Sequence, residues 1–475
     1  MPRRSKHKRP LAPPVKYDVV TSGEGPFGLA SAWEAAQSGK SVLMVANRKM
    51  EYVRVQRVFL QPENREYLLS MLGGKLNELK SPEDDKDIKF LKELIEGTTI
   101  AIKDIERFIK RRLDELKKDG RNITYLEESQ ISKIKMKKGV LNTKPHDEAG
   151  QERQFEFDYV IGADGASHPS ANVFNKNAKK NNLVTYCPIS QPKHPFHASV
   201  NVTIERKDGN KLELPEKQFI SDSTSTGWAI SFDTLSKSFD GKKVKSTFGG
   251  EIPEELFNLI NDYNKKDISK TAKKRTIKKI TEHIKGLIQS YFKKAGINDD
   301  AELIVTLVKP SAKYGRKKDK MKLQTFMTNF SRANVAAVEI EGRVFIVGAD
   351  AYRTPNYQFG HGINHAFEHS RKVGQIFRGQ KTIAQHNSEC KFLSRVIEFG
   401  TKLTNYYPFR NFLGWGAETA AERKRKDFLK KHETLLDKLK KLTTKAEEEQ
   451  MQDHSYQGEK ASLLPESPLT FLRMR

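Results

Sequence analysis

Three glycines near the N-terminus constrain this chain more than any other feature. Gly23, Gly25 and Gly28 form G-x-G-x-x-G directly after a β-rich run, Tyr17–Thr21. A helical stretch follows, Gly39 ends it, and Ser41–Val45 reads as a second buried strand. The spacing predicts a βαβ unit of about 30 residues. In such a unit the first glycine makes the tight turn and the second lets backbone approach a pyrophosphate. The third lets helix and strand pack closely. Gly23, Glu24, Gly25 and Gly28 are therefore candidate cofactor-binding residues. The helix N-terminus behind them offers free N–H groups and a positive dipole end to phosphates.

One part of that pattern is altered. The second strand of a dinucleotide site normally ends in Asp or Glu, which accepts hydrogen bonds from ribose hydroxyls. Here the place reads Val45-Ala46-Asn47-Arg48. Asn47 offers a weaker ribose contact and Arg48 a phosphate contact.

Two later segments repeat the strand-then-turn theme. FEFDYVIGADG ends in Asp164 and Gly165, and EGRVFIVGAD ends in Asp350. Between them, residues 183–340 alternate more weakly, with strand candidates His197–Ile204, Gly227–Phe232, Leu303–Val308 and Leu323–Phe330. Residues 62–118 and 253–296 read as helical inserts, and Ile123–Leu141 as a polar, strand-like stretch. A helix is expected over 358–378, and the end from about 385 reads as mostly helical. It closes with a charged amphipathic helix, Ala417–Glu449.

Taken in order, the three segments resemble the FAD-binding domain of class A flavoprotein monooxygenases. This is the para-hydroxybenzoate hydroxylase-like fold, shared by kynurenine monooxygenase and the MICAL monooxygenase domain. The first segment is similar to the family's opening βαβ. FDYVIGADGASHPSA is similar to its DG motif, with Asp164 and Gly165 as the signature pair. The family continues with Ser and then Arg; here Ser167 and His168 are transposed and the Arg is absent. GRVFIVGADAYRTPNYQFGHGINHAFEHS is similar to the GD motif and the loop after it. The resemblance implies that Asp350 hydrogen-bonds the ribityl chain, and that Gly360, Gly362, Ile363 and Asn364 face the flavin. The glycine before that Asp is replaced by Ala349. Members also place an Arg against the cofactor. Arg57 is the candidate carried here, with Arg54 as the alternative. His361, between two loop glycines, is the candidate catalytic residue, as a proton relay or flavin contact.

The implied fold class is α/β (α+β): a Rossmann-like FAD-binding domain in three sequence segments, an inserted β-sheet substrate domain and a helical C-terminal region. The implied divisions are a basic tail (1–15), the first FAD segment (16–182), the substrate-type sheet (183–340), the last FAD segment (341–384) and the helical end (385–475). The implied cofactor is FAD, with NADPH or NADH as electron donor. The implied activity is an NAD(P)H-dependent flavin monooxygenase acting on a small molecule. Halogenase chemistry is not expected, because that branch's Trp-x-Trp-x-Ile motif is absent.

Composition bounds the remaining alternatives. The chain has 475 residues and a formal net charge of +25, enough for about two or three domains. Its two cysteines, Cys187 and Cys390, exclude a disulfide framework and read as ordinary buried thiols. No apolar run reaches the ~18 residues of a membrane span, and no secretory signal is expected at the N-terminus. The expected location is cytoplasmic, with secretion as an effector the alternative. The excess Lys lies mostly in Lys/Glu-rich helical stretches, usually solvated faces. Nucleic acid is not an expected partner. An acidic protein, as in a MICAL-like oxidase, is one alternative. A degenerate FAD fold that binds partners through its basic surface is another. The aromatic run NYYPFRNFLGWG (405–416) reads as core, with peripheral membrane contact as its functional alternative. His361, His365 and His369 are spaced i, i+4, i+8, but without a clustered carboxylate or Cys no metal is expected there.

Overall fold

The computed structural model describes residues 14–52, 54, 57–58, 60–73, 85–96, 100–146, 151–165, 167–177, 183–190, 196–210, 219–221, 229–237, 243–264, 269–294, 302–307, 324–327, 330–353, 361–404, 423–424 and 426–441. The predicted βαβ unit is present as β1 (Val15–Ser22), α1 (Pro26–Gln37) and β2 (Val42–Val45). The stretch expected to be helical over 62–118 is interrupted. β3 (Arg57–Val58) precedes it; α2 (Pro62–Ser70), α3 (Asp85–Glu96), β4 (Ile100–Ala101) and α4 (Ile102–Lys118) compose it. β4 pairs with β3, which accounts for the break.

β5 (Ile123–Leu126), β6 (Ser129–Lys135), β7 (Val140–Pro145) and β8 (Arg153–Gly162) follow, then α5 (Pro169–Asn177). Far along the chain, β17 (Ala337–Ile340) and β18 (Arg343–Val347) complete the same sheet. Its order is β17-β18-β8-β1-β2-β5, with β6 and β7 branching from β8. All neighbours from β18 to β5 are parallel, while β17 is antiparallel to β18. This sheet is covered on both faces. Val19, Met44, Ile161 and Ile346 point to a cluster with Leu29 of α1, Phe108 of α4 and Phe367. Their chain neighbours Val20, Leu43, Val160 and Phe345 point the other way, to Leu141 of β7 and Phe174 of α5. Burial on both faces is why these strands read as continuous apolar runs.

Between the two halves of that sheet the chain makes β9 (Tyr186–Ser190), β10 (Phe196–Arg206), β11 (Phe219–Ser221), β12 (Ala229–Lys237) and β13 (Lys243–Glu251). Helices α6 (Glu254–Asn264) and α7 (Lys270–Lys294), then β14 (Leu303–Leu307), β15 (Gln324–Met327) and β16 (Phe330–Ala333) follow. The order β11-β12-β13-β10-β14, with β15 also on β10, defines a second, antiparallel sheet. β9 and β16 pair as a separate ribbon. The helical insert expected over 253–296 is two helices, and the strand expected over Leu323–Phe330 falls in two pieces.

The chain ends in α8 (His361–Phe377), α9 (Ile383–Thr404) and a helical stretch over 426–441. That last stretch docks on α2 and α3: Lys431 and His432 reach Glu66, and Lys440 reaches Glu96. The aromatic run at 405–416 and the basic tail up to residue 13 lie outside the described residues. Among the described residues no helix is long and apolar enough to cross a membrane. Cys390 is buried as expected, but Cys187 is exposed, because the β9–β16 ribbon leaves that part of β9 open to solvent.

Candidate cofactor site

Register brings the three sequence motifs together. Ser22 at the end of β1 pairs with Gly162 of β8, and Gly162 pairs with Val347 of β18. The turns holding Gly23, Asp164 and Asp350 therefore leave three adjacent parallel strands at one edge. In open α/β sheets ligands bind outside the carboxyl ends of the strands.

The glycine loop is as tight as its pattern requires. Gly23 has φ +111°, and a Cβ there would lie 2.4 Å from the Ala163 carbonyl oxygen. A Cβ on Gly28 would lie 2.1 Å from the Gly23 carbonyl oxygen. Pro26 opens α1 immediately after Gly25, its N-cap. The first-turn N–H groups behind it have no intrahelical acceptor, and they form an anion cradle.

Around this cradle lie charged groups in an unusual concentration. Glu24 is 6% exposed and accepts a hydrogen bond from the Arg48 Nε. Arg54 reaches toward Gly25, its guanidinium 3.4 Å from where a Cβ would stand, and pairs with Glu106 of α4. Glu106 is fully buried. Burial raises its pKa, with Arg54 pulling the other way. Glu106 Oε2, Arg54 Nε and the Tyr52 hydroxyl are buried without hydrogen-bond partners. Tyr52 also takes a left-handed backbone, φ 45°. Unsatisfied polar atoms and strain of this kind concentrate at functional sites.

Asp350 sits in a short 3-10 turn, Ala349–Ala351. It is exposed to solvent although the surrounding protein raises its pKa, with Arg54 and Arg353 opposing that shift. The carboxylate is thus reachable from solvent at the end of β18. Asp164 accepts the Ser170 N–H at 2.6 Å through Oδ2 and leaves Oδ1 without a partner. Burial raises its pKa, with the Ser170 hydrogen bonds opposing. A Cβ on Gly165 would meet nothing within 4 Å, so this turn faces open space. In the altered part of this motif, the His168 ring stacks on Tyr186 at 3.7 Å between centroids.

Other sequence candidates fall as follows. Asn47 is exposed, and its carbonyl contacts His146 Nε2 at 2.6 Å. Gly362 and Ile363 open α8 beside the cleft. The Asn364 side chain is committed elsewhere: its Oδ1 accepts the Gln61 N–H at 2.9 Å and Asn64 Nδ2 at 2.8 Å. It ties α8 to α2, and its backbone carbonyl also accepts Asn64 Nδ2, at 3.2 Å. Gly360 and the side chains of Arg57 and His361 lie outside the described residues. Of the two arginines considered, Arg54 is the one whose described side chain lines the cradle. Glu106 was missed from the sequence. Its signal was a charge on the apolar face of α4, beside Ile105, Phe108 and Ile109.

No family model matches the chain, and no curated protein matches its sequence. Solved structures match its fold. An anhydrotetracycline hydroxylase, OxyS from Streptomyces rimosus, is 13% identical over 89% of this chain and 76% of its own, with a TM-score of 0.50. The flavin-dependent brominase Bmp2 is 15% identical over 87% and 93%, with a TM-score of 0.51. The myxobacterial chondrochloren halogenase CndH, an FAD-dependent halogenase, is 14% identical over 84% and 82%, with a TM-score of 0.50. The chain thus has the fold of class A flavin-dependent monooxygenases and halogenases.

Proposed function

We propose that this chain is an FAD-dependent oxidoreductase of the monooxygenase type, acting on a small-molecule substrate. The observation that carries this reading is the in-register convergence of the Gly23, Asp164 and Asp350 turns at one sheet edge. The cleft fits a flavin dinucleotide. The Gly165 turn faces open space, Asp350 is exposed, and Glu106, Arg54 and Tyr52 have polar atoms still to be satisfied. FAD held there would supply the redox chemistry, hydride acceptance from NADPH or NADH and reaction with oxygen. The α1 N-terminus would hold the pyrophosphate, with the Arg54 guanidinium beside it. Asp350 would accept hydrogen bonds from ribityl hydroxyls. Glu24, held by Arg48, is the acidic group closest in role to the ribose carboxylate that β2 lacks. Substrate would lie against the second sheet, which we assign to the substrate domain. The first sheet, in its N- and C-terminal parts, is assigned to the FAD domain.

Anaerobic addition of NADPH or NADH to the flavin-loaded protein tests the activity. Bleaching of the visible flavin bands, followed by oxygen uptake on aeration, is the expected result. Bound flavin that neither donor reduces, with or without a substrate screen, would leave a binding module rather than a monooxygenase.

A further inference from the structure

A second constellation lies in the core behind the Asp350 turn, outside the residues assigned to flavin binding. His369 of α8 faces His386 and Cys390 of α9, and one ligand atom from each lies within 4.8 Å of the others. The two Nε2 atoms are 3.1 Å apart, and Cys390 Sγ is 3.7 Å and 3.8 Å from them. His386 and Cys390 stand one helical turn apart, so one face of α9 presents both. All three residues are buried, at 1%, 0% and 2% exposure.

We propose that His369, His386 and Cys390 form a solvent-excluded, three-ligand binding site for one divalent, borderline-soft cation, with zinc the best fit. Zinc binds imidazole nitrogen at about 2.0–2.1 Å and thiolate sulfur at about 2.3 Å. Tetrahedral angles then set the ligand atoms roughly 3.3–3.6 Å apart. The observed separations lie within a few tenths of an ångström of that arrangement before any ion is added. Ordinary packing explains the cluster less well. His386 Nδ1 is buried without a hydrogen-bond partner, and two imidazoles and a thiol converge where apolar side chains would fill the core.

The chemistry balances simply. A cation takes the lone pairs of two neutral imidazoles and of the Cys390 thiolate. On binding, the S–H bond breaks, a sulfur–metal bond forms, and one proton leaves to solvent. His369 shifts its proton from Nε2 to Nδ1. That nitrogen now accepts the Ala349 N–H at 3.3 Å, so loading the ion opens one long, weak contact. Lys372 and Lys381 act on the cluster, but each is paired with a carboxylate, Glu368 or Glu389. His365 lies alongside, its ring 5.6 Å from that of His369. Among the described residues no further ligand joins the three, which leaves one coordination position open. The ion would fasten α8 to α9 directly behind Ala349, independently of whether flavin binds.

Because the site is solvent-excluded, the test loads it during folding. The untagged full-length chain is unfolded with a chelator and refolded with cobalt(II) as the probe. The expected result is one cobalt per chain, with a sulfur-to-cobalt charge-transfer band and intense visible bands, both removed by excess zinc. The Cys390→Ser variant, isosteric enough to keep the core, should lose the charge-transfer band and bind the ion at least about tenfold more weakly. His386→Gln gives a second variant with an intact thiol and the same expected loss of affinity. Metal analysis of the wild-type chain, purified from zinc-supplemented growth, is independent of either variant folding and should give one zinc. Wild-type protein that refolds without binding either metal would overturn the proposal. So would a cobalt spectrum left unchanged by Cys390→Ser.

Discussion

The two sheets bury their strands differently. In the first sheet β2 reads Val-Leu-Met-Val and every residue is buried, because helices cover one face and β7 with α5 cover the other. In the second sheet β14 reads Leu-Ile-Val-Thr-Leu, equally apolar to the eye, yet alternate residues are exposed. Ile304 is 40% exposed between Leu303 at 3% and Val305 at 7%. Helix α7 packs on β14. Coverage, rather than hydrophobicity of the strand, sets what each residue contributes. It also sets where function gathers. The doubly covered parallel sheet can end in tight glycine turns and buried charges, because the layers on both sides hold them in place.

The largest expected break in that contrast comes from the glycine loop. Gly28→Val would drive a side chain into the Gly23 carbonyl, 2.1 Å from the new Cβ. A loss of about 4 kcal/mol or more is expected in urea unfolding, at the severe end for single substitutions. Gly209 also has positive φ, but a Cβ there meets nothing within 4 Å. Gly209→Ala should cost only about 1–2 kcal/mol, from the backbone conformation alone.

Next in size is the buried ion pair. Arg54→Met leaves Glu106 without its partner in the core, with an expected cost of about 3 kcal/mol for the flavin-free protein near pH 8. The sign of its pH dependence follows from linkage. A carboxyl whose folded pKa is raised binds its proton more tightly when folded, so stability falls as pH rises through the window between unfolded and folded values. The variant's deficit should therefore shrink toward pH 5. Urea titrations at the two pH values check it, and a deficit independent of pH would contradict it. The Lys207–Glu302 pair on the second sheet is fully exposed, and its removal should produce no measurable change.

The covered and half-covered strands can be compared directly. Met44→Ala should cost about 2–5 kcal/mol through the cavity it leaves, whereas Ile304→Ala should stay within about 0.5 kcal/mol. Equal effects on melting would show that both sheets are covered alike. A small gain is expected at Ala349, which holds φ 50° without being glycine. Ala349→Gly removes left-handed strain of about 1–2 kcal/mol but adds about 0.4–1 kcal/mol of unfolded-state entropy. The net expectation is a gain of about 0.5 kcal/mol, read as a small rise in melting temperature. A fall would show that the Ala349 side chain contributes packing there.

The same contrast explains what was legible in the sequence. β1, β8 and β18 announce themselves because their last residues, buried on both faces, are short apolar runs leading into glycine turns. β12 and β15 pair through backbone hydrogen bonds over sequences with weak alternation, so their ends drift from expectation. The break at Ile100–Ala101 depends on pairing with Arg57–Val58, a long-range contact no local pattern records. Gly23, Glu24, Asp164 and Asp350 could be named from motif spacing. Glu106 and Tyr52 could not, since each is buried near Arg54 only after α4 and the segment beyond β2 are folded together. His386 and Cys390 stood outside every motif, and only the packing of α9 behind the Asp350 turn brings them to His369.

The central claim is that the edge where β1, β8 and β18 end is a flavin dinucleotide site. Its most direct test is titration of the purified chain with FAD, followed by visible absorbance and flavin fluorescence, for wild type and Asp350→Ala in parallel. The account predicts one FAD per wild-type chain, and at least a tenfold weaker affinity in the variant with unchanged far-UV circular dichroism. Absence of binding to the wild-type chain, or equal affinity in both, would contradict it.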